Sequence, residues 1–357
     1  MPDLDRIGFA TPACCHPLST SMPEASGTMK AVLITEDHRI RVIEREVPSI
    51  GPDEVLVKPS CCGICGTDLH ILRHGFVGTH YPVTPGHEFA GHIVSVGRDA
   101  RGLKEGDFVA VDPNVVCGTC RWCASGRPNL CLHLTPIGVG RPGAAAEFVA
   151  VPARNAFVVK ESVGDGAAAL IEPLACAMHA VASSRGVNGR SVLVLGGGTM
   201  GMLIALSAKA QGAGSVALSD PSPTKLGIAR EIGIDDARAP SSFVGETFDI
   251  VFEAAGVPLA LGQGLELLEK TGTLVQVGVH DADKTFPINP FLVYEREHTI
   301  VGSNSCAKQF EPAVDFIDDI RGVAGRLTDD AFDVWEFEAA VESMDKGLSV
   351  KTQLRFR

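Results

Sequence analysis

The chain has 357 residues, enough for two domains, and its 45% apolar and 21% charged content is that of an ordinary globular protein rather than a disordered one. With 31 Lys and Arg against 43 Asp and Glu the formal charge is −12, which weighs against a nucleic-acid or anionic-membrane binder, both of which need clustered positive charge. No uncharged apolar run reaches the length of a membrane span, so no partner of either kind is expected.

Residues 1–28 are rich in Pro, Ser and Thr, lack periodicity and carry no apolar block, so they read as a flexible extension and not as a secretory signal. They include Cys14-Cys15-His16, which is either a metal-binding fragment or part of a disordered tail. Eleven cysteines in a chain expected in the cytosol point to metal or catalytic sulfur rather than to disulfides. From Met29 to about residue 160 the chain alternates short β-branched runs (Ala31 to Thr35, Val55 to Lys58, His92 to Val96, Asp107 to Val111) with Gly and Pro, the pattern of a barrel or sandwich. From Ile171 the texture changes. Apolar strands at Ser191 to Leu195, Ser215 to Ser219, Asp249 to Ala254 and Thr273 to Gly278 are separated by segments long enough for crossover helices, which predicts a doubly wound parallel sheet. A helix over Phe310 to Ile320 and a strand over Lys351 to Phe356 follow.

Three groups of residues carry chemistry. Cys117, Cys120, Cys123 and Cys131 form C-x2-C-x2-C-x7-C, which suits a closed tetrahedral zinc shell. An iron–sulfur cluster of the bacterial ferredoxin type would place its fourth Cys after three residues and before Pro, and here it follows seven and precedes Leu132. Second, the strand ending at Leu195 runs into Gly196-Gly-Gly198-Thr199-Met200-Gly201, a GxGxxG turn followed by a helix. Gly196 makes the turn, Gly198 admits a pyrophosphate at the helix N-terminus, and Gly201 allows close helix-to-strand packing. Asp220 stands 19 residues after Gly201, where a carboxylate accepts from ribose hydroxyls and repels a 2′-phosphate, so NAD is expected rather than NADP. Lys225 either reaches the ribose or is a solvated helix-start lysine, and Val277 and Val279 either line the nicotinamide or belong to a plain turn. Third, Cys65, His87, Glu88 and Glu172 lie in Gly-rich loops or at the domain junction. Taken singly, Cys65 is either a ligand or a buried thiol, His87 a ligand or a satisfied loop imidazole and Glu172 a ligand or a helix-start acid, while a Cys, a His and a Glu together can hold a catalytic zinc with one position open.

The segments GICGTDLH, GHEFAG, the four-Cys lobe, IEPLACAMHA and VLVLGGGTMG occur in the order and at the separations of one family. From about Lys30 onward the chain resembles the zinc-dependent medium-chain alcohol dehydrogenases, and is most similar to their sorbitol, polyol and threonine dehydrogenase branch. The resemblance implies an α/β protein with a GroES-like β-rich catalytic domain (29–172 and 304–357) and a Rossmann coenzyme domain (173–303). It also implies two zinc ions per chain and NAD. Cys65 and His87 would be ligands of the catalytic zinc, Glu88 and Glu172 either ligands or holders of its water, and Thr67 with His70 a proton relay. The implied reaction interconverts a secondary alcohol (a polyol, vicinal diol or amino alcohol) and its ketone with hydride transfer to NAD, in a homo-tetramer or homo-dimer. A simple alcohol or L-threonine is the alternative substrate; a zinc-free reductase of the same superfamily and a non-catalytic NAD-binding regulator are the other readings. Sorbitol-oxidising members carry an aromatic residue and an arginine at the positions of Ile71 and Ser305.

Overall fold

A computed structural model describes residues 27–328, 330–347 and 349–356; the Cys14-Cys15-His16 stretch and nearly all of the expected extension lie outside them. The strands come in chain order as β1 (Thr28–Ile34), β2 (Ile40–Glu46), β3 (Glu54–Gly63), β4 (Glu88–Val96), β5 (Phe108–Val111), β6 (Val149–Pro152) and β7 (Ala156–Val158), then β8 (Ser191–Leu195), β9 (Ser215–Ser219), β10 (Asp236–Arg238), β11 (Phe248–Glu253), β12 (Leu268–Gln276) and β13 (Thr299–Gly302), and finally β14 (Asp330–Asp333) and β15 (Thr352–Arg355). The helices are α1 (Gly66–Arg73), α2 (Arg121–Ala124), α3 (Asp165–Ala168), α4 (Ile171–Ser183), α5 (Thr199–Ala210), α6 (Pro223–Glu231), α7 (Pro258–Glu266), α8 (Pro290–Glu295), α9 (Phe310–Leu327) and α10 (Phe337–Asp345).

Two larger sheets result. In the first, β14-β15-β3-β4-β5-β7, with β6 also on β3, neighbours pair antiparallel except for β14 and β15. Its central strands are buried over consecutive residues, as in β5, and Val55 and Val57 meet Phe89, Ile93, Val109 and, from α10, Phe337 in one core. In the second, all pairs are parallel in the order β10-β9-β8-β11-β12-β13. This sheet is buried by α4, α5 and α9 on one side, where Leu174, Met202, Leu203 and Ile317 share a core, and by a second cluster around Leu193, Leu195, Val251 and Leu274. Strands buried on both faces need continuous apolar runs, which VLVL at 192–195 supplies. The strand order reverses between β8 and β11, and a crevice for a ligand opens at such a switch point outside the carboxyl ends of the strands.

Several element limits differ from expectation. The helix expected to stop at Ile320 runs on to Leu327, because Ala324 and Leu327 keep the apolar spacing of the buried face through Gly322 and Gly325, which read as breakers. Strand β12 starts at Leu268 rather than Thr273 and ends before Val277, and the chain enters β1 one residue earlier than Met29. The last strand, β15, pairs antiparallel with β3, with Leu354 opposite Cys62. This brings the C-terminal segment beside the GICGTDLH loop, a contact that no local pattern encodes.

Candidate active site

Strand β3 ends at Gly63 and delivers Cys65 to the N-cap of α1; β4 begins at Glu88, next to Gly63 across the ladder, and so brings His87 and Glu88 to the same edge. The ligand atoms of Cys65, His87 and Glu88 lie within 4.8 Å of one another. His87 and Glu88 are buried and Cys65 is half-buried. Burial alone would push the His87 imidazole down, but the Asp68 and Cys65 anions beside it push it well up. Its Nδ1 is buried without a hydrogen-bond partner and stands 3.7 Å from Asp68 Oδ1, which also has none. A thiol, an imidazole and a carboxylate converging with an orphaned ring nitrogen fit a zinc ion with an open position.

Asp68 was not singled out from sequence. It is buried, its Oδ2 accepts from the Cys65 backbone N–H at 2.9 Å, and burial raises its carboxyl against the opposing pull of His87. It therefore ties the Cys65 backbone and faces the His87 ring with its charge, a placement like that of the outer carboxylates of metal sites. The spacing Cys-x-x-Asp at a helix start was its only signal. Lys351 left no signal at all. It is 4% exposed, donates to the Ile64 carbonyl at 2.8 Å and pairs with the Glu88 carboxylate. Burial would lower its ammonium, yet Glu88 and Cys65 raise it.

Glu172 starts α4 and is 8% exposed. It is not part of the 4.8 Å cluster; its Oε1 accepts from the Cys176 thiol at 3.4 Å. Burial, and then the Glu88 carboxylate, push its carboxyl up to about 7. Thr67 and His70 lie one turn apart on α1, both half-buried, with the His70 ring 6.2 Å from that of Phe76. Ile71 is wholly buried in the β-sheet core and makes no part of this pocket. Ser305 has a left-handed backbone, φ 57°, and its hydroxyl donates to Asn114 Oδ1 at 3.1 Å.

The four lobe cysteines also converge. Sulfur–sulfur distances are 3.6 Å for Cys120–Cys123, 3.9 Å for Cys120–Cys131 and 3.5 Å for Cys131–Cys117. Four sulfurs about 2.3 Å from a zinc stand about 3.8 Å apart, so the donors present fit that ion. Backbone N–H groups aimed at sulfur lower Cys117 and bring Cys120 down to about 6, while burial and the neighbouring sulfurs push Cys123 up to about 12. The lobe is tied to the segment after β13 by Asn129, whose amide donates to the Asn304 carbonyl at 2.9 Å.

At the switch point Gly196 adopts φ 111° and α5 begins at Thr199, after Gly198. A Cβ on Gly201 would sit 1.8 Å from the Gly196 carbonyl oxygen, so this helix can approach its strand only with glycine there. Gly201→Ala should cost about 2–3 kcal/mol, read as a lower midpoint in thermal melts, and weaken dinucleotide binding. Asp220 is 7% exposed; its Oδ2 accepts from Gly197 N–H at 2.7 Å and its Oδ1 from Ser222 N–H at 2.8 Å, which places the carboxylate against the glycine turn. Lys225 is half-buried on α6, Met200 and Val277 pack on the core beneath the turns, and Val279 is exposed. Thr199 Oγ1 donates to the Val350 carbonyl at 2.6 Å, and the next residue, Lys351, pairs with Glu88. Two adjacent residues thus connect the glycine turn to the Cys65–His87–Glu88 group. The glycine turn, the acid at the end of the second strand and the crevice between β8 and β11 fit a dinucleotide.

The chain is also similar to known proteins. Residues 51–161 match the family model of the alcohol dehydrogenase GroES-like domain and residues 199–319 that of the zinc-binding dehydrogenases. The chain is similar to D-altritol 5-dehydrogenase of Agrobacterium fabrum, 33% identical over 84% of this chain and 91% of that one. It is also similar to L-threonine 3-dehydrogenase of Pyrococcus horikoshii, 34% identical over 76% and 81%. Among solved structures, a zinc-binding dehydrogenase from Sinorhizobium meliloti bound to NADP superposes with a TM-score of 0.87 at 34% identity, covering 92% of this chain and 99% of that one. The chain, an α/β protein joining a GroES-like part to a Rossmann part, therefore belongs to the zinc-dependent medium-chain alcohol dehydrogenase family, whose cofactors are zinc and a nicotinamide dinucleotide.

Proposed function

We propose that the chain oxidises a secondary hydroxyl of a polyol to a ketone, with NAD as hydride acceptor, and runs the reverse reduction. One observation carries this reading: the ligand atoms of buried or half-buried Cys65, His87 and Glu88 converge within 4.8 Å of one another, and the group is braced, through Lys351 and Val350, against the turn that would cradle the dinucleotide. Zinc held by Cys65 and His87, with Glu88 or Glu172 as a further ligand or as holder of the water, would supply Lewis acidity to the substrate hydroxyl. Asp68 fixes the orientation of the imidazole and Lys351 balances the Glu88 charge. Thr67, two residues after Cys65, would take the hydroxyl proton at Oγ1 while giving up its own Oγ1 proton to a relay that ends at His70, one turn further along α1, and from there in solvent. Gly196, Gly198, Gly201 and the start of α5 would hold the pyrophosphate of the dinucleotide, and Thr199, Met200, Val277 and Val279 are the neighbouring residues that would line its site. The closed lobe of Cys117, Cys120, Cys123 and Cys131 holds a structural zinc, because four thiolates leave no position for substrate.

Similarity to D-altritol 5-dehydrogenase supports the polyol, and similarity to L-threonine 3-dehydrogenase supports a vicinal amino alcohol as second reading. Absorbance of NADH with a panel of D-altritol, other polyols, L-threonine and simple secondary alcohols separates them: turnover is expected with polyols, and turnover with L-threonine alone would reject the first reading. Asp220 supports NAD. Asp220→Asn keeps the acceptor that meets Gly197 but removes the charge, and should raise the NADP-to-NAD ratio of kcat/KM by about 100-fold, since a like-charge juxtaposition costs several kcal/mol. Steady-state kinetics with both cofactors checks this. The edge strand β13 lies near exposed Ile288, Phe291, Leu292 and Tyr294, which supports a homo-oligomer, dimer or tetramer, testable by light scattering. Among the described residues no helix is long and apolar enough to cross a membrane, and all nine cysteines are free thiols, which supports a reducing compartment such as the cytosol.

A further inference from the structure

The turns that follow β8, β11 and β12 are stacked backbone against backbone. A Cβ on Gly196 would meet Ala255 N at 2.9 Å, and one on Gly278 would meet Gly256 N at 2.3 Å. Val277 N–H and Gly278 N–H also donate to the Glu253 carbonyl, at 2.9 and 2.8 Å, and the Glu253 side chain adds a second set of ties between the same turns. Glu253, the last residue of β11, is fully buried. Its Oε1 accepts from Ala255 N–H and Gly256 N–H, each at 2.8 Å. Its Oε2 accepts from Gln276 Nε2 at 2.5 Å and stands 3.2 Å from Nε2 of His280, whose side chain is 18% exposed. Gln276 also donates to the Gly278 carbonyl at 2.8 Å.

A buried carboxylate is costly unless donors surround it, and here every donor belongs to the two turns. A strand end inside an apolar core has no need of that charge. Its partners explain it: one carboxylate joins residues 254–256, which face the switch point, to residues 276–280. The doubly wound sheet has two mononucleotide halves, and Asp220 at the end of β9 gives the adenosine half to β8–β10. The half built from β11–β13 is left for the nicotinamide mononucleotide.

We propose that Glu253 is a positioning residue for the nicotinamide half of the cofactor. It staples the 254–256 and 276–280 turns into one preformed wall of the crevice, and His280 closes the staple on its solvent side. This rests on the NAD reading above. A wall formed in advance spares the ligand the cost of ordering two turns, so its loss is felt by the half of the ligand that lies against it.

The test compares NAD with ADP-ribose, which keeps the adenosine and pyrophosphate but lacks nicotinamide, by calorimetric titration of the full-length zinc-loaded protein. In Glu253→Gln one oxygen becomes an amide nitrogen that faces donors. The NAD dissociation constant should rise about 10-fold, with the ADP-ribose constant within about 2-fold of wild type. In kinetics the KM for NAD should rise by the same factor while the KM for the alcohol is unchanged. His280→Ala, at the partly exposed end, should give a smaller loss of about 3-fold confined to NAD, and stands in if Glu253→Gln does not fold. Equal loss of NAD and ADP-ribose, or no change in NAD binding in either variant, would overturn the proposal. A wild-type protein that binds neither ligand would overturn the dinucleotide reading and the role of Glu253 with it.

Discussion

Cys65→Ser is expected to release one zinc per chain and to lower kcat/KM for the alcohol by about 1,000-fold or more. A Lewis acid contributes several kcal/mol to the transition state, and about 1.4 kcal/mol is tenfold in rate. Serine is itself a good N-cap, so α1 keeps its start and Asp68 can still accept from the backbone N–H of residue 65. What disappears is the thiolate. The melting temperature should therefore change by only a few degrees and NAD binding should persist, which separates lost chemistry from lost fold. Glu172→Ala should likewise reduce turnover with the fold intact, because Glu172 stands at the helix start facing Glu88 and His87 and only its Cys176 contact is lost. Paired measurements of zinc content, NAD titration and steady-state rate check both.

Cys120→Ser should have the opposite profile. The four sulfurs stand at the edge lengths of a closed shell, and a structural zinc contributes folding free energy directly. Opening the shell leaves three thiols crowded together and loosens the Asn129 tie to Asn304. A fall in melting temperature is expected together with lower soluble yield, since a structural zinc contributes to folding. Molecules that remain folded should keep the wild-type rate per catalytic zinc. A fully stable Cys120→Ser protein that has lost a zinc would remove the structural role of the lobe.

What the sequence makes legible is what is local. The strands at 191–195 and 215–219 stand at their expected limits, since a buried parallel strand writes its apolar run into consecutive residues. The four lobe cysteines, close in sequence, are close in space. Cys65, His87 and Glu88 meet because β3 and β4 are ladder neighbours, which the motif spacing alone does not dictate. Lys351 and Glu253 carry no local signal, for different reasons. Lys351 acts from the far end of the chain through the β15–β3 pairing, and Glu253 is a single acid at a strand end whose partners come from a later turn. Asp68 was present in the quoted motif but reads as an ordinary helix-start acid until the orphaned His87 nitrogen beside it is seen.

Elemental analysis of active, purified protein, with Cys65→Ser alongside it, tests the central claim most directly. About two zinc ions per chain in the wild type are expected, falling to about one in the variant together with its alcohol-dependent NADH formation. Full activity in protein holding only the lobe zinc, unaffected by Cys65→Ser, would contradict it.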